Sequence, residues 1–122
     1  MSKVYRFNSA RHSAVHDLHI HIAERWWQRL RGLIGHSNLS PGKALLLRPC
    51  RSVHTAFMRF PIDLVFLDRE QKICKLIRNL GTWKIAGCWQ AQATLELATG
   101  EIERLGLQCG DQLQQQDNTS SG

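Results

Sequence analysis

The segment Ile62-Asp63-Leu64-Val65-Phe66-Leu67 is apolar on both of its alternating faces apart from a single acid. A short run of this kind, bounded by turn residues, reads as a strand at the centre of a sheet. Asp63 is the one charge within it, and a carboxylate buried there requires partners. Two sets of partners are open. One is main-chain amides beside the start of the strand. The other is His54, if Ser52–Met58 folds back on Ile62–Leu67 as a tight hairpin with Ala56 opposite Asp63, which puts His54 and Asp63 diagonally on one face.

The rest of the chain supplies more strands. Leu18-His19-Ile20-His21-Ile22 alternates strictly, with the two histidines on the face opposite the aliphatics. Val4–Phe7, Ala44–Leu47, Lys72–Ile77 beyond the Asp68–Gln71 turn, Thr94–Leu97 and Gln112–Gln114 are further short strands. Such spacing, near ten residues, predicts a mainly β domain, a β-sandwich or barrel-like arrangement of six or more short strands. The period changes once. Trp26, Leu30, Leu33 and Ile34 fall at i, i+4, i+7 and i+8, which predicts one amphipathic helix within Ala23–Ile34 on the N-terminal side, with Gly35 past its end. A short helical turn is expected at Glu101–Leu105. Residues 1–17 read as an N-terminal extension or edge strand, 18–115 as a single β-rich domain, and 116–122, polar throughout, as a disordered tail.

With 122 residues, 43% of them hydrophobic and 21% charged, the chain has the size of one domain and enough apolar mass for a core. No apolar run approaches the roughly 18 residues of a membrane span, and the first ten residues show no secretory apolar region. The expected compartment is the cytoplasm, where the four cysteines at 50, 74, 88 and 109 stay reduced. None forms a C-x-x-C pair, so a zinc ribbon or redox motif is not indicated, and they read as small apolar side chains. The net charge of +6 divides unevenly, +8 over residues 1–60 and −2 over 61–122. A basic half of this kind suits a solvated surface, an acidic protein partner or a nucleic acid.

Four strings occur together in order. Arg29-Leu30-Arg31-Gly32-Leu33-Ile34-Gly35 resembles an R-x-x-G-L-M-G pattern. Pro61-Ile62-Asp63-Leu64-Val65-Phe66-Leu67-Asp68 resembles I-P-L-D-V-V-F-I-D. Leu95-Glu96-Leu97 with Gly100 resembles V-L-E-L-x-x-G, and Gly110-Asp111 a closing G-D. Together they resemble the uncharacterised bacterial and archaeal family catalogued as domain of unknown function 192. The resemblance implies a mainly β, sandwich-like domain with a helix near its start, and no activity. The chain departs from the family where F-W-M-K-N-T is usual: it has Val53-His54-Thr55-Ala56-Phe57-Met58, with His54 in place of the Trp.

Several residues carry possible chemistry. His19 and His21, about 6.6 Å apart on one strand face, are weak metal candidates that need a third ligand. Cys50 and His54 lie about 13 Å apart if extended, too far to share a zinc ion or act as nucleophile and base. Beside the His54 and Asp63 pair, Glu96 sits between Leu95 and Leu97 and calls for a partner such as Arg31. Trp83 and Trp89 flank a stretch that reads as a loop and could stack on a ligand. No phosphate-binding glycine loop, dinucleotide fingerprint or nucleophile elbow is present, so no cofactor is expected. The reading that follows is a non-catalytic ligand-binding or accessory module, with His54, Asp63, Glu96, Trp83, Trp89 and Arg31 as ligand-binding candidates and an unknown small ligand or acidic protein as partner. The alternatives are a hydrolase-like or metal-dependent enzyme using His54 and Asp63, and nucleic-acid binding through the basic N-terminal half.

Overall fold

The computed structural model describes residues 2–9, 16–23, 39–54, 60–81 and 84–116, and for Ser2, Ala23, Val53 and His54 the backbone alone. Among these residues lie nine strands, β1 (Ser2–Asn8), β2 (Leu18–Ala23), β3 (Lys43–Leu47), β4 (Ser52–His54), β5 (Ile62–Leu67), β6 (Ile73–Leu80), β7 (Ile85–Gly87), β8 (Ala93–Ala98) and β9 (Gln112–Gln115). The one helix among the described residues, α1, is Glu101–Arg104, the short turn expected near the C-terminal end. The helix expected within Ala23–Ile34 falls, apart from Ala23, outside the described residues, and Ala23 itself closes β2. The only described helix is therefore C-terminal rather than N-terminal.

Seven strands form one sheet in the order β6-β5-β8-β3-β2-β1-β9. All neighbours are antiparallel except β2 and β3. That parallel pair is joined by residues 24–42, a length such a crossover requires. The sheet curls into a half-barrel whose outer strands meet at one end: Lys72 bridges Gln112. The Ile73 amide donates to the Asp111 carbonyl at 2.8 Å, and the Leu113 amide donates to the Gln71 carbonyl at 2.9 Å.

The pleat divides the side chains of this sheet into two sets. Tyr5, Phe7, Leu18, Ile20, Ala44, Leu46, Val65, Leu67, Leu95, Leu97 and Leu113 fill the concave side. Leu45, Leu47, Ile62, Leu64 and Phe66 form a second cluster on the convex side. That side is covered by the two-stranded ribbon of β4 and β7, which contributes Ala86 and the neighbouring Cys50, Cys88 and Ala91. Burial on both faces is why β5 lacks a polar face: all six of its residues are buried.

The hairpin that would have joined His54 to Asp63 is not formed. β5 pairs with β6 on one side and β8 on the other, and Asp63 lies opposite Leu97. With both edges of β5 occupied, β4 pairs instead with β7, placing His54 opposite Ile85. Asp63 points to the concave side with Val65 and Leu67, and its carboxylate accepts three main-chain hydrogen bonds. Oδ1 takes the Asn79 amide at 2.8 Å. Oδ2 takes the Gly100 amide at 3.1 Å and the Ile102 amide at 3.0 Å. Asp63 thus caps the first turn of α1 from a different strand, in the place a local N-cap side chain would fill. Gly100 there has φ 91°, a left-handed conformation suited to glycine. Ile102 is fully buried and covers the concave cluster at that end.

Replacing Asp63 with alanine strands three amides at once, each costing roughly 1–3 kcal/mol if left unsatisfied. We expect Asp63→Ala to lower unfolding free energy by about 3 kcal/mol or more, with amide exchange at Asn79, Gly100 and Ile102 accelerating most. A loss below about 1 kcal/mol in urea denaturation would contradict the capping role.

Candidate functional site

The convex side of the sheet holds the most unusual polar group in the described molecule. Glu96 stands at the middle of β8, opposite Leu45 of β3 and opposite Leu64 of β5. Directly opposed side chains begin about 5 Å apart, so its carboxyl is flanked by two aliphatics of the convex cluster. It is 0% exposed. Among the described residues neither Oε1 nor Oε2 has a hydrogen-bond partner. Burial alone pushes its pKa up to about 8, so the group is held as a neutral acid at pH 7.

Glu101, the other buried glutamate among the described residues, shows what partners change. It accepts hydrogen bonds from the Arg104 guanidinium, one of them from Nη2 at 2.8 Å, and from the Gly42 amide at 2.9 Å. Burial acts to raise its pKa, but the Arg104 and Gly42 donors outweigh it and hold the carboxyl below its ordinary range. Glu101 thereby ties the turn before β3 to α1, a structural task. Glu96 has no such task among the described residues.

The other candidates are dispersed. Asp63 is on the opposite side of the sheet, engaged with main-chain amides. Trp89, 88% exposed, and Ile85, 81% exposed, belong to the ribbon and its turn. The stretch between Trp83 and Trp89, read as a loop, contains β7. His54 brings its backbone to the same ribbon, while its side chain, Arg31 and Trp83 lie outside the described residues. His19 and His21 are both exposed on β2, and among the described residues no group of three or more His, Cys, Asp or Glu side chains could hold a metal.

Two features escaped sequence reading. One is a cavity of about 370 Å³ at the end of the half-barrel remote from α1, with Leu46, Leu67 and Ala93 at its base and Arg48, Arg69 and Gln92 among its polar lining. The other is the approach of Cys74 on β6 to Cys88 after β7, with Sγ atoms 3.4 Å apart. The 14-residue spacing of this pair carries no signature. The Lys75 Nζ also reaches the Gly87 carbonyl at 2.8 Å, a second tie between sheet and ribbon. Among the described residues no helix is long and apolar enough to cross a membrane.

The buried acid makes a signed prediction about pH. Its folded-state pKa of about 8 lies above the ordinary 4.5. The folded state therefore keeps a proton that the unfolded chain releases, and the stability associated with it is complete below about pH 4.5 and fades as pH rises towards 8. Glu96→Gln keeps the shape and removes the titration. Relative to the parent, this variant should gain on the order of 4 kcal/mol between pH 4.5 and pH 8, on top of a pH-independent offset. Parallel stability curves from urea denaturation across that range would contradict a buried, unpaired Glu96.

Comparison with known proteins agrees with the architecture. A protein from Sinorhizobium meliloti, provisionally named a transcription regulator, superposes with a TM-score of 0.84 at 23% identity, covering 94% of each chain. A protein of unknown function from Novosphingobium aromaticivorans superposes with a TM-score of 0.81 at 16% identity, covering 93% of this chain and 84% of that one. At these identities the likeness is one of fold. No curated protein matches the chain. The family pattern itself extends over residues 7–115, from β1 through β9, and on that ground the chain belongs to the uncharacterized ACR family, domain of unknown function 192.

Proposed function

We propose that this protein is a non-catalytic ligand-binding or accessory module, and that its ligand engages the convex side of the sheet around Glu96, beneath or beside the β4–β7 ribbon. The observation that carries this reading is the Glu96 carboxyl, fully buried with neither oxygen engaged among the described residues. A buried polar group without partners costs stability, and such groups concentrate where a protein has work for them. A neutral carboxylic acid offers one O–H donor beside one carbonyl acceptor. That pairing matches a small polar molecule with an adjacent acceptor and donor, of which a primary amide is the simplest. Trp89 and Ile85 on the ribbon supply exposed apolar surface at the margin. Arg31 lies in the string Arg29–Gly35 that resembles the family pattern, and His54 stands where the family usually has a Trp; we include both, with Trp83, in the proposed site.

The enzymatic alternative through His54 and Asp63 loses its geometric basis, because both Asp63 oxygens serve main-chain amides and β4 does not pair with β5. Nucleic-acid binding is the second reading. It is favoured by the excess of ten basic over two acidic residues in positions 1–60, and the provisional name of the Sinorhizobium meliloti relative points the same way. An acidic protein partner would use the same charge. We place the protein in the cytoplasm, where its four cysteines are kept reduced under resting conditions.

Ligand-observed NMR with a panel of small primary amides, amidines and carboxylic acids tests the first reading. Saturable binding is expected with the parent protein, weakened at least tenfold in Glu96→Leu, a variant that fills the same apolar slot and should fold. Equal binding by both proteins, or none by either, would overturn it. Binding of single- or double-stranded oligonucleotides that weakens steeply as salt rises would instead establish the second reading.

A further inference from the structure

We propose that Cys74 and Cys88 form an oxidisable dithiol that locks the β4–β7 ribbon onto the sheet. Cys74 is the second residue of β6, and Cys88 immediately follows β7, so the pair spans the two layers. Their Sγ atoms are 3.4 Å apart, and closing a bond of about 2.05 Å requires an approach of only about 1.4 Å. Both side chains are half-buried, at the edge of the convex cluster. The ribbon is already placed there by the Lys75 contact to the Gly87 carbonyl and by the Thr94 hydroxyl of β8, which donates to the Cys50 carbonyl at 3.1 Å just before β4. A disulfide would thus fasten an existing arrangement. Cys50 is turned elsewhere: its thiol donates to the Ser52 carbonyl at 3.1 Å. Cys109 is exposed and lies in the turn before β9, which bonds to the start of β6.

The reaction needs a two-electron oxidant, and a small-molecule disulfide such as oxidised glutathione is sufficient. The Cys88 thiolate attacks one sulfur of the oxidant, forming a mixed disulfide and releasing one small thiol. Cys74 gives up its proton and attacks the Cys88 sulfur, forming the internal bond and releasing the second small thiol. Two protein thiols are oxidised to one disulfide, one oxidant disulfide is reduced to two thiols, and the two protons pass to the departing sulfurs. The order of attack follows from the environment. Burial, then the neighbouring Cys88 sulfur, push the Cys74 thiol up to about 12, and it is the thiolate that attacks. The first, bimolecular attack is therefore assigned to Cys88, and Cys74 takes the second, where its sulfur already lies 3.4 Å from that of Cys88 and the attack is intramolecular. This inference is independent of the ligand-binding reading, although the bond would fix the cover over Glu96.

The test uses the full chain. The protein is incubated with oxidised glutathione, excess reagent is removed, and thiols are counted after denaturation. The count should fall from four to two, with the mass lowered by two hydrogens and no glutathione retained. Trypsin should then yield peptide 73–75 joined to peptide 85–104, separated again by dithiothreitol. Amide exchange in residues 52–54 and 85–87 should slow in the oxidised form and recover on reduction. A count that stays at four, a link that uses Cys50 or Cys109, or stable glutathione adducts without an internal bond would overturn the dithiol assignment. A correct link with unchanged exchange would overturn the lock. Cys74→Ser and Cys88→Ser should each abolish the linked peptide, and Cys50→Ser should leave it intact.

Discussion

One carboxylate organises an entire end of this protein. Asp63 begins in β5, between β6 and β8, and collects amides from Asn79 near the end of β6 and from Gly100 and Ile102 at the start of α1. Three segments that are distant in sequence are thereby held to one point. The helix is too short to be stable by itself, since a single turn carries the cost of nucleation with almost no propagation to offset it. Its existence depends on what Asp63 does for its first amides and on the burial of Ile102 beneath it. The end of the half-barrel is covered because an acid occupies a position in an otherwise apolar strand.

Glu96 shows the opposite use of the same chemistry. Both acids are buried in central strands, and β5 and β8 are neighbours. They project from opposite faces of the sheet, Asp63 towards donors and Glu96 towards aliphatic side chains. The fold makes the first indispensable and gains nothing visible from the second. This asymmetry is the physical ground for looking to the convex side for function, and it separates the two acids that the sequence presents as similar oddities.

Much of the architecture is readable from periodicity. β2, β3, β5, β6, β8 and β9 arise where alternating or wholly apolar runs occur, and α1 arises where a helical turn is expected. The Asp68–Gln71 turn is also legible, since the Asp68 carboxylate accepts the Glu70 and Lys72 amides at 2.9 and 3.0 Å, a local pattern with a compositional mark. What escapes is non-local. Ile85-Ala86-Gly87 becomes β7 only because β4 is available to pair with it. The expected hairpin of residues 52–58 with 62–67 fails because β5 finds partners further along the chain. For the candidate site, the oddity of Asp63 and Glu96 is visible in their flanking residues. The identity of the Asp63 partners is not, because main-chain amides leave no trace in composition. The Cys74–Cys88 approach depends on how the ribbon lies on the sheet.

The position of β9 beside β1 has a consequence for how the protein is made. Residues 5–8 pair with residues 112–115, and the Gln116 amide donates to the Val4 carbonyl at 2.8 Å. During synthesis β1 and β2 emerge early, yet β1 has no neighbour on its other side until residues 112–115 have left the ribosome. The concave core, which draws Tyr5 and Phe7 together with Leu113, cannot be completed before then. Closing so long a chain segment is slow compared with forming local contacts. Nascent chains of this protein therefore carry an open strand edge while residues 9–111 are being made, and its shielding falls to chaperones or to the speed with which β9 arrives.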